Sequence, residues 1–388
     1  MKHFGLYIHW PFCLSKCPYC DFNSHVRETV DQSRWKKALL TELASAGQKP
    51  PPGVLRSIFF GGGTPSLMDP QTVKEVIDQA KACFPYKKNL EITLEANPST
   101  VEATRFQAFS QAGVTRLSLG VQSLEDEALS FLGRRHTAKE ALRALDIAAI
   151  YFPRFSFDLI YGRPNQSLMS WKNELGKALS YAKGHLSLYQ LTIEPQTVFA
   201  RRLARGEKMS LDEELAASLY ALTEDLMCHN GLPPYEVSNY AAPSQECVHN
   251  LMYWNVDDYI GLGPGAHGRL TEKGEKVATA RYKVPEIWLK AVEKQGHGLQ
   301  VFHHLSRLEK LQEFTLMNLR LTKGLNLNLL QEKTGIHLKE AYNQKDINLL
   351  EKEGLLKQKD SRLIPTFEGR LCLDGLITFL LRNSEVQD

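Results

Sequence analysis

From residue 5 to about residue 265, short apolar or β-branched runs alternate with longer stretches of helical period. The runs predict six strands: Leu6 to His9, Ser57 to Phe60, Glu91 to Glu95, Arg116 to Leu119, Ser156 to Ile160 and Ser187 to Leu191. The stretches between them predict amphipathic helices over Trp35 to Ala46, Thr72 to Phe84, Glu102 to Ala112, Ala138 to Ala149 and Leu211 to Cys228. Repeated βα units of this kind build a parallel sheet with helices packed on it. Six units are two short of a closed eight-fold barrel, and the expected class is α/β with a parallel sheet.

After about residue 285 the alternation stops. Leu308, Leu311, Phe314, Met317 and Leu321 recur at helical spacing, and short helices follow around Leu327 to Lys333 and Leu338 to Lys352. Leu355 to Lys357 and Leu363 to Pro365 then predict a two-stranded wing before a last helix, Glu368 to Leu381. The chain thus divides into residues 1–285 and a winged-helix-like α+β appendage, residues 286–388.

Chemistry gathers where the strands end. A cysteine cluster follows the first strand, Gly61-Gly62-Gly63-Thr64 the second, Glu95 ends the third, Gln122 follows the fourth, and Asp158 and Tyr161 close the fifth. In parallel barrels the active site is built on that rim from several strand ends.

Composition narrows the partners. Lys and Arg exceed Asp and Glu by 47 − 44 = 3, too little for an electrostatic nucleic-acid or membrane binder. From residue 305 onward 13 basic residues face 12 acidic ones, which argues against DNA binding by the appendage. The sequence lacks an apolar run approaching the roughly 18 residues of a membrane span, and MKHFGLYIHWPF lacks a signal-peptide pattern. A cytoplasmic protein is expected. Seven cysteines, three of them within eight residues, then point to metal or redox chemistry in preference to disulfides.

Those three, Cys13, Cys17 and Cys20, lie on one loop, and Phe22 occupies the position two beyond the last. Structural zinc normally takes four protein ligands and a [4Fe–4S] cluster ordinarily four cysteines. Three ligands leave one iron open to a small molecule. A zinc site completed by Cys83 or His9 is the alternative.

C-x3-C-x2-C after a first strand, followed by Gly61-Gly62-Gly63-Thr64-Pro65 after a second, resembles the radical S-adenosylmethionine (SAM) superfamily. The resemblance covers residues 1 to about 285 and implies a partial (β/α)6 barrel with the cluster loop closing over its C-terminal mouth. It implies a [4Fe–4S] cluster on Cys13, Cys17 and Cys20 with SAM at the open iron. It further implies Gly62, Gly63 and Thr64 against the methionine part, Tyr7 near the sulfonium and Tyr19 against the adenine. Glu95, Gln122, Arg134 and Asp158 would serve the methionyl and ribose groups. A bidentate guanidinium suits a carboxylate, and a carboxylate suits ribose hydroxyls.

Tyr7-Ile-His-Trp-Pro-Phe-Cys13, Gly120-Val-Gln-Ser123, Phe157-Asp-Leu-Ile-Tyr-Gly162 and the appendage are similar to one branch of that superfamily. It holds the oxygen-independent coproporphyrinogen III dehydrogenases and the HemW-type haem chaperones. The dehydrogenase pattern carries a further cysteine where Phe22 stands and a long extension before the cluster, whereas twelve residues precede Cys13 here. His249-Asn250-Leu-Met-Tyr253-Trp254 matches the HNxxYW motif of the chaperones. That match implies haem as cargo with His249 as an iron ligand, acceptor haemoproteins as partners, and no coproporphyrinogen dehydrogenase activity. It leaves open residual radical SAM cleavage, acceptors at a membrane surface and a homodimer. Cys247 is either a second haem ligand or a buried structural cysteine. Gly261-Leu-Gly263-Pro-Gly265 has the look of a dinucleotide fingerprint, but no helix with a suitably spaced acidic residue follows it.

Overall fold

The computed structural model describes residues 2–209 and 211–386. The six predicted strands are present as β1 (His3–Trp10), β2 (Val54–Gly62), β3 (Tyr86–Ala96), β4 (Arg116–Gln122), β5 (Arg154–Tyr161) and β6 (His185–Gln190). Each pairs in parallel with the next. The sheet is wider than the sequence pattern implied. β7 (Asn239–Ala241) adds antiparallel to β6, while β8 (Asp258–Leu262) lies parallel to β1 on its other side. An antiparallel ribbon of β9 (His267–Glu272), β10 (Glu275–Arg281) and β11 (Leu299–His304) continues from β8, giving eleven strands in all. These additional strands are short or carry polar alternation, so they lack the continuous apolar runs that mark a strand buried on both faces. The architecture is a partial α/β barrel, as expected.

Alternating residues build the interior. Phe4, Leu6, Ile8 and Trp10 of β1 are buried and pack on Leu39 and Leu43 of helix Gln32–Gly47 and on neighbouring strands. Tyr7 and His9, between them, face the other side of the strand, where Tyr7 Oη lies 3.1 Å from His9 Nδ1. Three predicted helices are continuous, whereas Glu102 to Ala112 is split into Thr100–Ala103 and Phe106–Gln111. The predicted Leu211 to Cys228 helix appears as Glu213–His229.

Trp288, Leu289 and Val292 pack into the barrel core, and β11 still belongs to the main sheet. A second core gathers Leu311, Phe314, Leu325, Leu356, Leu363 and Leu376, joined by Val256 from the barrel side. The division that packing supports is therefore near residue 305, and we place it there in preference to 285. The end of βα alternation marked where the barrel closes its edge, not where its core stops. The wing is a hairpin of Leu356–Lys359 and Arg362–Pro365, joined by Asp360 and Ser361 at φ of 48° and 57°. Two positive-φ residues in a two-residue turn suit strand twist. Leu325–Asn326 adds a third strand, and the last predicted helix is broken into Phe367–Leu371 and Leu373–Leu381. Among the described residues no helix is long and apolar enough to cross a membrane.

Candidate functional site

A cavity of about 770 Å³ opens at the C-terminal ends of β2 to β6. Its wall includes Cys13, Cys17 and Cys20 from the loop after β1, Gly62, Gly63 and Thr64 after β2, Glu95 and Asn97 at the end of β3, and Gln122, Arg134 and Asp158. Tyr19 lines it too, its ring 6.3 Å from that of Phe199. The strand-end rule therefore gathered one site from five elements.

The cysteine loop is anchored from both sides. The Gly63 amide donates to the Trp10 carbonyl at 2.7 Å and the Thr64 amide to the Phe12 carbonyl at 2.9 Å. Gly62, at φ 113°, has room for no side chain, since a Cβ would lie 2.5 Å from the His9 ring. Its amide donates to Glu95 Oε2 at 3.2 Å. The amides of residues 62–64 thus tie the cysteine loop and Glu95 to β2.

Polar donors surround the sulfurs. Thr64 Oγ1 donates to Cys13 Sγ and Arg134 Nη1 to Cys17 Sγ, each at 3.3 Å, and Ser24 Oγ lies 3.8 Å from Cys20 Sγ. Donors of this kind stabilise thiolates, the form that binds iron. Burial works against them: it pushes the Cys13 thiol up to about 11 despite Thr64, and raises Cys20 as well. An iron cluster in place of the protons resolves that conflict, so the donor set fits a [4Fe–4S] group held by three thiolates. Neither proposed fourth zinc ligand joins the loop. His9 Nε2 donates to the Asn23 carbonyl at 2.9 Å, which leaves Nδ1 to accept from Tyr7 Oη at 3.1 Å, and Cys83 packs on Gly47.

Arg134 is less free than a carboxylate fork requires. Nη2 donates to Asn97 Oδ1 at 2.7 Å and to the Gly120 carbonyl at 2.8 Å, Nη1 serves Cys17, and Nε is buried without a partner. Gln122 sits at φ 71°, where the β4–β5 register breaks, and this bulge turns it to the cavity. Burial together with the Asp158 charge pushes the Glu95 carboxyl up to about 8, and burial pushes Asp158 up to about 6. Two carboxyls in one low-dielectric cavity resist joint ionisation, so the pair readily donates as well as accepts hydrogen bonds.

Two expected residues are not brought to this wall. Tyr7 does not line the cavity; its ring stacks on Phe59 and on His249, with centroids 6.2 and 6.4 Å away. His249 is 1% exposed, with Nδ1 2.7 Å from Ser57 Oγ and Nε2 2.8 Å from Tyr253 Oη. Burial lowers its pKa to about 3, so the ring is neutral. The resemblance implies His249 as an iron ligand; here its imidazole is packed and bonded at both nitrogens, because helix α1 (Val248–Trp254) turns that face onto β1 and β2. Cys247 is buried beside Glu91, its thiol pushed up to about 12 by burial, as suits a structural cysteine.

Sequence reasoning missed Asn97, whose side chain links Arg134, Thr64 and Glu102. Its place just past the third strand was the available signal. His136 was missed for lack of one; it lines the cavity and donates through Nε2 to the Val121 carbonyl at 3.0 Å. The glycine run after β8 contributes no ligand loop. Gly263 (φ 94°) passes under the His9 backbone and gives its amide to the buried Glu42, and Gly265 (φ 78°) leaves room for Asn23, which ties the cysteine loop to the Pro264 carbonyl.

Residues 7–175 match the Radical SAM superfamily, and residues 305–372 match the HemN C-terminal domain. A mouse protein, radical S-adenosyl methionine domain-containing protein 1, mitochondrial, is 37% identical over 97% of this chain and 87% of its own length. The haem chaperone HemW of Haemophilus influenzae is 36% identical over 97% of both chains, and that of Escherichia coli K12 is 39% identical over 82% of this chain and 83% of its own. Among solved structures, coproporphyrinogen III oxidase (HemN) of Escherichia coli superimposes with a TM-score of 0.81 at 20% identity. It covers 98% of this chain and 90% of its own, a likeness of fold. Three thiols on one loop beneath a strand-end cavity, carried on a chain that matches these relatives along nearly all its length, place it in a superfamily whose cofactors are SAM and a [4Fe–4S] cluster: the chain belongs to the radical SAM superfamily, in the family that carries the HemW name.

Proposed function

We propose that this protein is a haem chaperone, binding haem and passing it to acceptor haemoproteins from a scaffold that also binds SAM and an iron–sulfur cluster. The observation that carries the reading is the match to proteins named as haem chaperones over almost the full length of both chains. Phe22 supports it from the site: 59% exposed on the cavity wall, it supplies an apolar ring where the dehydrogenase pattern has a thiol.

In this reading Cys13, Cys17 and Cys20 hold the cluster, which when bound supplies an open iron for the amine and carboxylate of SAM. Thr64 and Arg134 hold charge on the cysteine sulfurs. Glu95 and Asp158 meet polar groups of SAM, Gln122 is aimed at it by the bulge, and Tyr19 offers a ring face for the adenine. His249 is the haem ligand, which requires that its present bonds be exchanged. The C-terminal domain meets partners or covers the barrel.

Anaerobic reconstitution of the cluster, followed by parallel assays of haem binding and of coproporphyrinogen III consumption with SAM and a reductant, tests the reading. Stoichiometric haem binding without porphyrinogen turnover is expected. Robust turnover would make the protein an enzyme of porphyrinogen oxidation.

A further inference from the structure

Asn97 stands one residue past the end of β3, where its side chain reaches the loop after β2 and Arg134 beyond β4. Nδ2 donates to Thr64 Oγ1 and to Glu102 Oε1, each at 3.3 Å, and Oδ1 accepts from Arg134 Nη2 at 2.7 Å. The partners fix which way the amide lies. A guanidinium has no acceptor, so the amide oxygen must face Arg134, and the nitrogen is left for Thr64 and Glu102.

Thr64 inherits a direction from this. Its hydroxyl has one proton, and with the Asn97 amide donating to the oxygen that proton is left for Cys13 Sγ, 3.3 Å away. Arg134 is held in the same manner. Nη2 is tethered twice, by Asn97 Oδ1 and by the Gly120 carbonyl at 2.8 Å, which leaves Nη1 aimed at Cys17 Sγ at 3.3 Å. One amide thus stands behind the sulfur donors of two different cysteines. Asn97 is itself held from behind: its backbone amide donates to Glu102 Oε2 at 3.0 Å, and Glu102, 4% exposed, also accepts from the hydroxyls of Ser66 and Ser99. Turning the amide over would set donor against donor at Arg134 and acceptor against acceptor at Glu102 Oε1, so one orientation is kept.

We propose that Asn97 is a positioning residue that sets the reduction potential of the iron–sulfur cluster, by holding Thr64 on Cys13 and Arg134 on Cys17 at once. The proposal rests on the chain's membership of the radical SAM superfamily and stands whether or not haem is the cargo. Hydrogen bonds to the sulfurs of a cluster favour its more negative, reduced state and so raise the potential. Because both donors act through one residue, its removal loosens them together. Cys20 lies outside this clamp; its polar neighbour is Ser24 Oγ, at 3.8 Å.

Anaerobic redox titration of the reconstituted full-length protein, read by visible absorbance and by the electron paramagnetic resonance signal of the reduced cluster, tests this. N97A should move the one-electron equilibrium about tenfold towards the oxidised cluster, a fall of about 59 mV, with iron content as in the unaltered protein. N97D keeps the acceptor for Arg134 but turns the donor into a second acceptor, which competes with Cys13 for the Thr64 proton, and should lower the potential further. T64V removes one of the two donors. Added to it, N97A should shift the potential by less than it does alone, whereas the shifts of N97A and S24A should add. A potential in N97A equal to or above that of the unaltered protein overturns the proposal, as does an N97A shift undiminished on the T64V background. If N97A takes up less iron, N97D is read in its place. Loss of iron from both also overturns the proposal, because Asn97 would then hold the loop and not the potential.

Discussion

The cysteine-lined cavity and the floor around His249 are built on the same strands, yet they are finished in opposite ways. At the rim, groups are left unmet: Arg134 Nε is without a partner, the Asp158 charge raises the Glu95 carboxyl, and three thiols, Cys13 buried and Cys17 and Cys20 half-buried, sit among donors. One layer down, His249, Tyr253, Ser57 and Tyr7 satisfy and stack on one another. Unmet polarity marks a surface waiting for a fixed occupant, whereas a saturated cluster accepts one only by exchanging bonds. A resident cofactor suits the first and a transient cargo the second.

The comparison breaks most sharply at the cysteines. C17A should abolish the cluster outright, read as loss of visible absorbance after anaerobic reconstitution, while haem binding at the floor survives. Loss of both together would tie the two regions into one site. H249A comes next: it removes a buried ring and strands Ser57 and Tyr253, costing about 2–4 kcal/mol in urea unfolding, with cluster formation retained.

The Glu95 carboxyl at the rim and the His249 imidazole below it respond to pH with opposite sign. Glu95, raised to about 8 in the folded protein, contributes stability that is full below the unfolded carboxyl range and is lost as pH rises through 8. His249, lowered to about 3, contributes stability present above its unfolded value near 6.5 and lost as pH falls towards 3, a direction shared by His9 and His136. E95Q should therefore flatten the decline in urea midpoint between pH 5 and pH 8 without altering the acid limb; an unchanged alkaline limb would mean Glu95 is ionised in its place beside Gly62. The smallest effect is expected for Y253F, about 0.5–1.5 kcal/mol from one hydrogen bond, and a larger loss would show that Tyr253 holds the helix itself.

Much of the rim was legible along the chain because it is local. Cys13 to Cys20 lie on one loop, Gly62, Glu95 and Gln122 sit at or next to the end of a strand whose apolar run announces it, and Asp158 lies three residues inside the end of another. A parallel sheet puts strand ends on one side, so reading strands already collects them. Arg134 and Asn97 were another matter. Arg134 was placed by resemblance and Asn97 not at all, since their mutual bond and the one to Cys17 span 37 and 117 residues.

What the sequence determined by itself was the βα order, the three-thiol loop and the winged C-terminal fold, since periodicity and turn chemistry act over a few residues. Tertiary structure decided the width of the sheet, the core boundary near residue 305 and the face that His249 presents. A seven-residue helix has too few turns to fix its own orientation by amphipathicity. Packing between β1, β2 and the C-terminal domain decides instead, and it turns the histidine inward and Trp254 towards that domain.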